Sequence, residues 1–456
     1  MRGILPPLPT AAPSIGDFTD ELPAWAEIVD TLTFQRGFNT SLVVFGTTLL
    51  GIAAGLVGVF ALLRKRSLMS DALSHATLPG IGAAFILAAS LGFEGRSLPL
   101  LLAGAAATGV LGVLCVQLLL RHTRLREDAS IGIVLSVFFG AGVVLLSVIQ
   151  GMSTGDAAGL NTFIYGQTAA MQRFDAMLMM SLAVLAVLCA LLLLKEFAIV
   201  CFNDSFAKVM GWPVSVIDLL IMALVTLVTV AGLQAVGIIL VVAMLIVPAV
   251  AARFWTNRLW LLALLGGVIG GASGYFGSVI SALLPRKPAG AVIVLTAGAI
   301  FLFSMLAAPK RGVLANAIRR LRLRLRIARD HLLESMHERG AAADGAAHSF
   351  TLREMARERG WSRWRTALMS AGLRLHGFIR AESRGYALTE KGRAAGARIA
   401  RNHALWEQYL ISYADIAPSH VDWSVDHVEH VLSEELVAEL EAALRRRGVG
   451  MTGPMV

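Results

Sequence analysis

From Phe38 to Ala308 the sequence is a succession of apolar runs, each about 20 residues long, the length that crosses the roughly 30 Å hydrocarbon core of a bilayer as a helix. Lipid offers backbone groups no hydrogen-bond partners, so each such run must satisfy its own N–H and C=O groups. An α-helix does that within one segment. Nine spans are expected, near 40–63, 76–92, 98–120, 130–150, 175–195, 215–233, 235–253, 259–284 and 288–308. Charge supports the reading: 16% of residues are charged and 56% are hydrophobic, where a soluble chain carries roughly a quarter charged residues. The fold class expected is an all-α polytopic membrane protein with a C-terminal cytoplasmic winged-helix and helical domain.

Positive charge sets the orientation of such a chain. Arg64–Arg66, Arg121/Arg124/Arg126, Lys195/Lys208, Arg253/Arg258 and Lys310/Arg311 fall in alternate loops. Those loops are expected inside, with the N-terminus outside and everything after Lys310 inside. The opposite loops carry little, Arg96 and Arg173, with Arg286-Lys287 as the exception. Residues 1–34 read as a polar extracytoplasmic arm with an interfacial helix near Trp25. They lack the basic-then-apolar pattern of a secretory signal. Cys115, Cys189 and Cys201 have no close-spaced partner and read as small core hydrophobes. Glycines crowd the spans (Gly51, Gly55, Gly58; Gly266, Gly267, Gly270, Gly271, Gly274), a sign of close helix approach.

Three stretches carry chemistry. In Arg64–Gly80, Asp71 and His75 are four residues apart, hence on one helix face, at the mouth of a span before a Pro-Gly break. Ionisable groups there are costly and usually functional; a helix end solvated by headgroups is the alternative. The outer loop Gln150–Asp175 carries Asp156 and Asp175, and its middle, GLNTFIYGQ, reads as a short helix or re-entrant piece. The inner loop Lys195–Pro213 holds a short helix from Asn203 to Val209, with Asp204 at its positive end and Gly211 and Pro213 ending it. An ordinary loop is the alternative there.

SLMSDALSHATLPGIG, GLNTFIYGQ, FNDSFAKVMGWP and GIILVVAMLIVPAVAAR together resemble the metal-ion ABC permease family over about residues 35–310. The resemblance implies import of manganese, zinc or iron with an extracytoplasmic metal-binding protein, a separate ABC ATPase, and a second permease copy as homodimer or heterodimer. It places ATPase docking on Asn203, Asp204, Ser205, Phe206, Ala207 and Gly211, and it puts Asp71 and His75 on the family's Asp and His. No GxxxxGK[ST] occurs, so the chain is not expected to be an enzyme; ATP hydrolysis falls to the partner. Carboxylate and imidazole suit first-row divalent cations. A transport pathway of Asp71, His75, Asp156 and Asp175, with Glu94 beside them at the outer face, follows.

After Pro309 the charge rises. Residues 311–348 read as a basic juxtamembrane helix, with Arg319–Arg329 lying on anionic lipid, followed by a linker. Residues 349–392 read as a winged helix-turn-helix. Leu352, Met355 and Ala356 form one apolar face; Leu368, Met369 and Leu373 form the next. A hairpin turns at Ser383-Arg384-Gly385, and Thr389 caps the following helix. Ser362, Arg363, Arg365 and Thr366 are the candidate DNA-binding positions, early on the recognition helix. Protein interaction is the competing use of this layout.

Residues 393–456 carry two i, i+4 pairs, His403/Glu407 and Asp426/His430, with Glu429 adjacent. Two such pairs on neighbouring helices suit a divalent ion with N/O ligands. YALTEKGR, NHALWEQYL and VDHVEHVLSEEL resemble the iron- and manganese-dependent repressor family over about 326–445. The resemblance implies a metal-sensing and dimerisation domain, with Mn2+ or Fe2+ expected and Zn2+ as the third candidate, at His403, Glu407, Asp426, Glu429 and His430. Asp330 stands at one further acidic position, while Ile327 falls where the manganese-sensing branch has an acid. DNA is the remaining candidate partner. Three readings compete: a metal permease with a metal-responsive tail, a membrane-tethered metal-dependent regulator, and a permease with a vestigial interaction tail. Nine spans exceed what tethering needs.

Overall fold

The structure, a computed structural model, describes residues 25–35, 37–64, 67–91, 98–152, 173–284, 288–342, 349–358, 360–383, 385–413 and 434–446. It divides into two units, residues 1–315 and 316–456.

The first unit is helical throughout its described residues. Its elements are α1 (Trp25–Leu32), α2 (Phe38–Leu63), α3 (Ser67–Ala76), α4 (Leu78–Ser90), α5 (Leu98–His122), α6 (Glu127–Gly151), α7 (Arg173–Leu192), α8 (Leu194–Phe202), α9 (Asp204–Val209), α10 (Val214–Val236), α11 (Ile238–Trp255), α12 (Leu259–Leu283) and α13 (Ala289–Ala307). Among the described residues, eight helices are long and apolar enough to cross a membrane. The run expected at 235–253 is α11, a shorter apolar helix; it is separated from α10 by one residue, Gly237, whose φ of 83° is open to glycine at little cost.

The hub of the unit is α2, which packs against α7, α10, α11 and α12. Along the α2–α12 contact, Gly51 and Gly55 face Gly270 and Gly266; a methyl at Gly55 would overlap the Gly266 carbonyl oxygen. Thr47 and Ser278 share a buried hydrogen bond of 2.6 Å across the same contact. A helix stands near Trp25 as expected, α1, and Tyr275 Oη of α12 donates to its Leu32 carbonyl at 2.7 Å.

Two local expectations change. The span expected to begin at 76 starts earlier: Met69–Ser90 is span-length, made of α3 and α4 joined through the single residue Thr77. Pro79 is not a break, because it sits in the first turn of α4, where a missing N–H costs little. The segment Lys195–Pro213 contains the expected short helix, α9, and is also helical before it: Phe197 and Val200 bury one face of α8 and hold it helical.

The second unit contains most of α14 (Val313–Ala342), α15 (Leu352–Glu358), α16 (Arg363–Leu375), the antiparallel pair β1 (Ile379–Glu382) and β2 (Gly385–Leu388), α17 (Glu390–Tyr413) and α18 (Glu434–Arg446). Its core joins Leu332, Leu333 and Met336 of α14 to Phe350, Met355, Leu373, Ile379 and Leu388. The stretch expected as basic helix and linker therefore runs helical to Ala342 and completes the winged-helix core. Thr351 and Glu354 close a reciprocal capping box at α15, with Thr351 N to Glu354 Oε2 at 2.8 Å. Gly360, φ 61°, ends that helix. The expected hairpin and cap are present: Gly392 N donates to Thr389 Oγ1 at 3.1 Å. Leu368, expected in the apolar face, is 56% exposed instead; the buried face of α16 runs through Thr366, Ser370 and Leu373.

Candidate functional site

Asp71 and His75 lie on α3, inside the span-length helix, with His75 Nε2 3.6 Å from Asp71 Oδ1. The four-residue spacing brings them together as the sequence implied. The Asp71 side chain is half exposed, and the His75 ring packs edge-on against Phe139 of α6 at 5.1 Å. His75 Nδ1 is buried with no hydrogen-bond partner among the described residues. Ser70 and Ser74 of α3 and the following Thr77 are buried as well. Asp175 sits in the first turn of α7, where a carboxylate is favoured by the exposed N–H groups. Asp156 and Glu94 lie outside the described residues. A cavity of about 700 Å³ bordered by Ile52, Trp260, Leu264 and Tyr275 has no carboxylate or imidazole in its lining and offers a divalent ion nothing.

The docking candidates form a capped one-and-a-half-turn helix. Asn203 Oδ1 accepts from the N–H groups of Ser205 (3.0 Å) and Phe206 (3.1 Å), and Gly211 at φ 81° follows its end. Phe206, Val209 and Met210 are exposed at 54%, 86% and 61%, an apolar tip that the described residues leave uncovered. Ala207 is fully buried and so anchors the helix; it is not available to a partner. Asp204 turns back to Arg64, whose Nη2 donates to Asp204 Oδ2 at 3.1 Å and to Asp218 Oδ2 at 2.8 Å. Sequence reasoning used Arg64 only as a topology marker and passed over Asp218. The signal for Asp218 was available: it is the single acid in the apolar run Val214–Val236.

In the second unit His403 of α17 meets Glu334 of α14, Nδ1 to Oε1 at 3.2 Å, and His331 Nδ1 lies 3.6 Å from Glu334 Oε2. The Glu334 side chain is 5% exposed. Burial alone would raise its carboxyl, but the two imidazoles outweigh burial and hold it down at about 2. Sequence reasoning missed both partners, since they lie about seventy residues from His403. Glu407 is half-buried one turn further along α17. Asp426, Glu429 and His430 lie outside the described residues, and among the described residues no group of three or more His, Cys, Asp and Glu side chains is arranged to hold a metal ion. Asp330, the further acidic position, is 6% exposed and paired to Arg329.

On the recognition helix, Ser362, Arg363 and Arg365 are exposed, and Arg365 stacks over Trp361 at 4.7 Å. Thr366 is a correction: it is fully buried and its Oγ1 donates to the Ser362 carbonyl, so it cannot meet a base. A cavity of about 440 Å³ opens among Arg353, Arg357, Trp361 and Arg363.

Span-length helices around a glycine-packed hub define a multi-pass membrane protein, here continued by a winged-helix unit. The chain belongs to the ABC 3 transport family, which matches residues 39–308. Residues 389–449 match the family described as iron dependent repressor, metal binding and dimerisation domain. The manganese transport system membrane protein MntC of Bacillus subtilis is 44% identical over 300 residues, 66% of this chain and 68% of that one. The zinc transport system membrane protein TroC of Treponema pallidum is 44% identical over 283 residues, 62% of this chain and 93% of that one. The solved structure of PsaBC from Streptococcus pneumoniae in complex with Fab superposes with a TM-score of 0.54 at 34% identity, covering 63% of this chain and 97% of that chain.

Proposed function

We propose that this chain is the permease subunit of an importer for divalent transition-metal ions, manganese, iron or zinc. It works as a homodimer or heterodimer with a separate ABC ATPase and an extracytoplasmic metal-binding protein. The observation that carries the reading is the Asp71–His75 pair on a span-length helix of a chain belonging to this family. Carboxylate and imidazole at that spacing offer a passing cation transient ligands. The N-terminus is outside and the winged-helix unit cytoplasmic, on the distribution of positive charge. Asp71→Leu with His75→Leu should abolish ion uptake in cells while membrane insertion stays intact. Full uptake by the double variant would return the pair to a solvated helix end.

The tail is proposed as a metal-responsive module that holds Mn2+ or Fe2+ at His403, Glu407, Asp426, Glu429 and His430. Oxygen and imidazole ligands without thiolate favour these ions over a closed structural zinc site. The match at 389–449 supports it. Bound metal stabilises whatever state holds it. Manganese added to the purified full chain should slow proteolysis within residues 316–446, and His430→Ala should remove the protection. Protection that survives His430→Ala, or none at all, leaves the tail as an interaction module; a gel shift with DNA would instead favour the regulator reading.

A further inference from the structure

Where α2, α8, α9 and α10 meet, one guanidinium holds three helices. Arg64 caps the C-terminal end of α2. Its Nη1 donates to the Val200 carbonyl of α8 at 3.1 Å and to Asp204 Oδ1 of α9. Its Nη2 donates to Asp204 Oδ2 at 3.1 Å and to Asp218 Oδ2 of α10 at 2.8 Å. The Arg64 and Asp218 side chains are 10% and 11% exposed, so water screens this pair little; Asp204 is 47% exposed. The planar five-donor fork of arginine suits two carboxylates at once, which a lysine point charge does not.

Buried ion pairs add little net stability over apolar packing, because desolvation offsets attraction. What such a cluster fixes well is geometry. The six-residue α9 is held at its base by the buried Ala207, by the Asn203 cap and by this clamp, while its tip stands exposed. At the other side of the clamp, α2 is the hub of the unit, and α10 packs against α3, which carries Asp71 and His75.

We propose that Arg64 is a positioning residue that ties α9 to α2 and α10, so that a displacement of α9 by a docked ATPase is handed to α10 and through it to α3, the helix that carries the Asp71–His75 pair. This rests on the reading of α9 as the ATPase-docking helix. Both acids accept from the same guanidinium, so α9 cannot shift outward without pulling on α2 or breaking a charged hydrogen bond.

The test uses the assembled complex of this chain, its ATPase and its metal-binding protein in liposomes, with manganese uptake and ATP hydrolysis measured in the same vesicles. Arg64→Gln should keep the ATPase bound and hydrolysing while uptake per ATP falls about tenfold, which corresponds to about 1.4 kcal/mol of coupling. Arg64→Lys should fall between. Arg64→Met with Asp218→Leu removes both buried charges; it should recover thermal stability lost in Arg64→Gln but leave uptake per ATP low. If uptake per ATP returns together with stability, or if Arg64→Gln leaves the ratio unchanged, Arg64 merely neutralises a buried acid and the proposal is overturned. Val209→Asp at the exposed tip tests docking separately. Loss of the ATPase from the purified complex supports docking, and retention overturns that reading whatever Arg64 does.

Discussion

In the membrane-spanning unit α2 and α12 meet backbone on backbone, Gly51 and Gly55 against Gly270 and Gly266. In the winged-helix unit the core is side chain on side chain, with Leu332, Leu333 and Met336 of α14 set against Phe350, Met355, Leu373, Ile379 and Leu388. The solvent explains the contrast. Water drives apolar side chains together without regard to direction. Lipid is as apolar as leucine, so spans must find each other through van der Waals fit and polar links, and removing side chains from the contact improves the fit. Charge follows the same division of labour. The first unit buries a cation, Arg64, among acids from two helices; the second buries an acid, Glu334, between two imidazoles. Each cluster fixes segments that lie far apart in the chain.

The contrast breaks most sharply at Gly55. A leucine there meets the Gly266 backbone, which has no rotamer to change, so the cost should exceed the about 1–3 kcal/mol of ordinary overpacking. Gly55→Leu should eliminate uptake and most monodisperse protein on size-exclusion chromatography. Uptake at the parent level would show that α2 and α12 do not pack this way.

Glu334 sharpens the comparison from the other side. Its folded carboxyl is held near 2 against an ordinary 4.5. Because the folded value is depressed, the stabilisation is complete above the unfolded value and is lost as pH falls from about 4.5 toward about 2. The difference corresponds to about 3 kcal/mol. With chelator present, Glu334→Gln should therefore hasten proteolysis within residues 316–446 at pH 7 and flatten the acid dependence of that rate. Unchanged proteolysis would mean that the imidazoles do not hold the acid.

The smallest effect is expected at Gly372 in α16, where a methyl meets nothing within 4 Å. A glycine inside a helix costs conformational entropy, so Gly372→Ala should stabilise the second unit by about 0.5–1 kcal/mol. The same change at Gly55 should destabilise the first. Opposite signs from one substitution, read by thermal melting of the two variants, express the difference between the units.

Local order was legible in the sequence. The apolar runs gave the span-length helices, because a lipid-crossing segment has to satisfy its own backbone. The short helix α9 with its Gly211 stop, the β1–β2 hairpin and the Thr389 cap were also legible, since each depends on residues close in the chain. So was the Asp71–His75 pair, fixed by helical spacing alone. The tertiary structure decided the rest. Arg64 meets Asp204 and Asp218 across separations of 140 and 154 residues, and no spacing rule links them. Glu334 reaches His403 only because α14 continues past its basic stretch to pack its Leu332, Leu333 and Met336 face into the winged-helix core. Thr366 and Leu368 exchanged their expected roles, buried and exposed, because the phase of a short helix against its neighbours depends on which side those neighbours occupy. A sequence prescribes what each segment can satisfy by itself. Which distant charge answers which is settled when the helices pack and desolvation makes an unanswered charge costly.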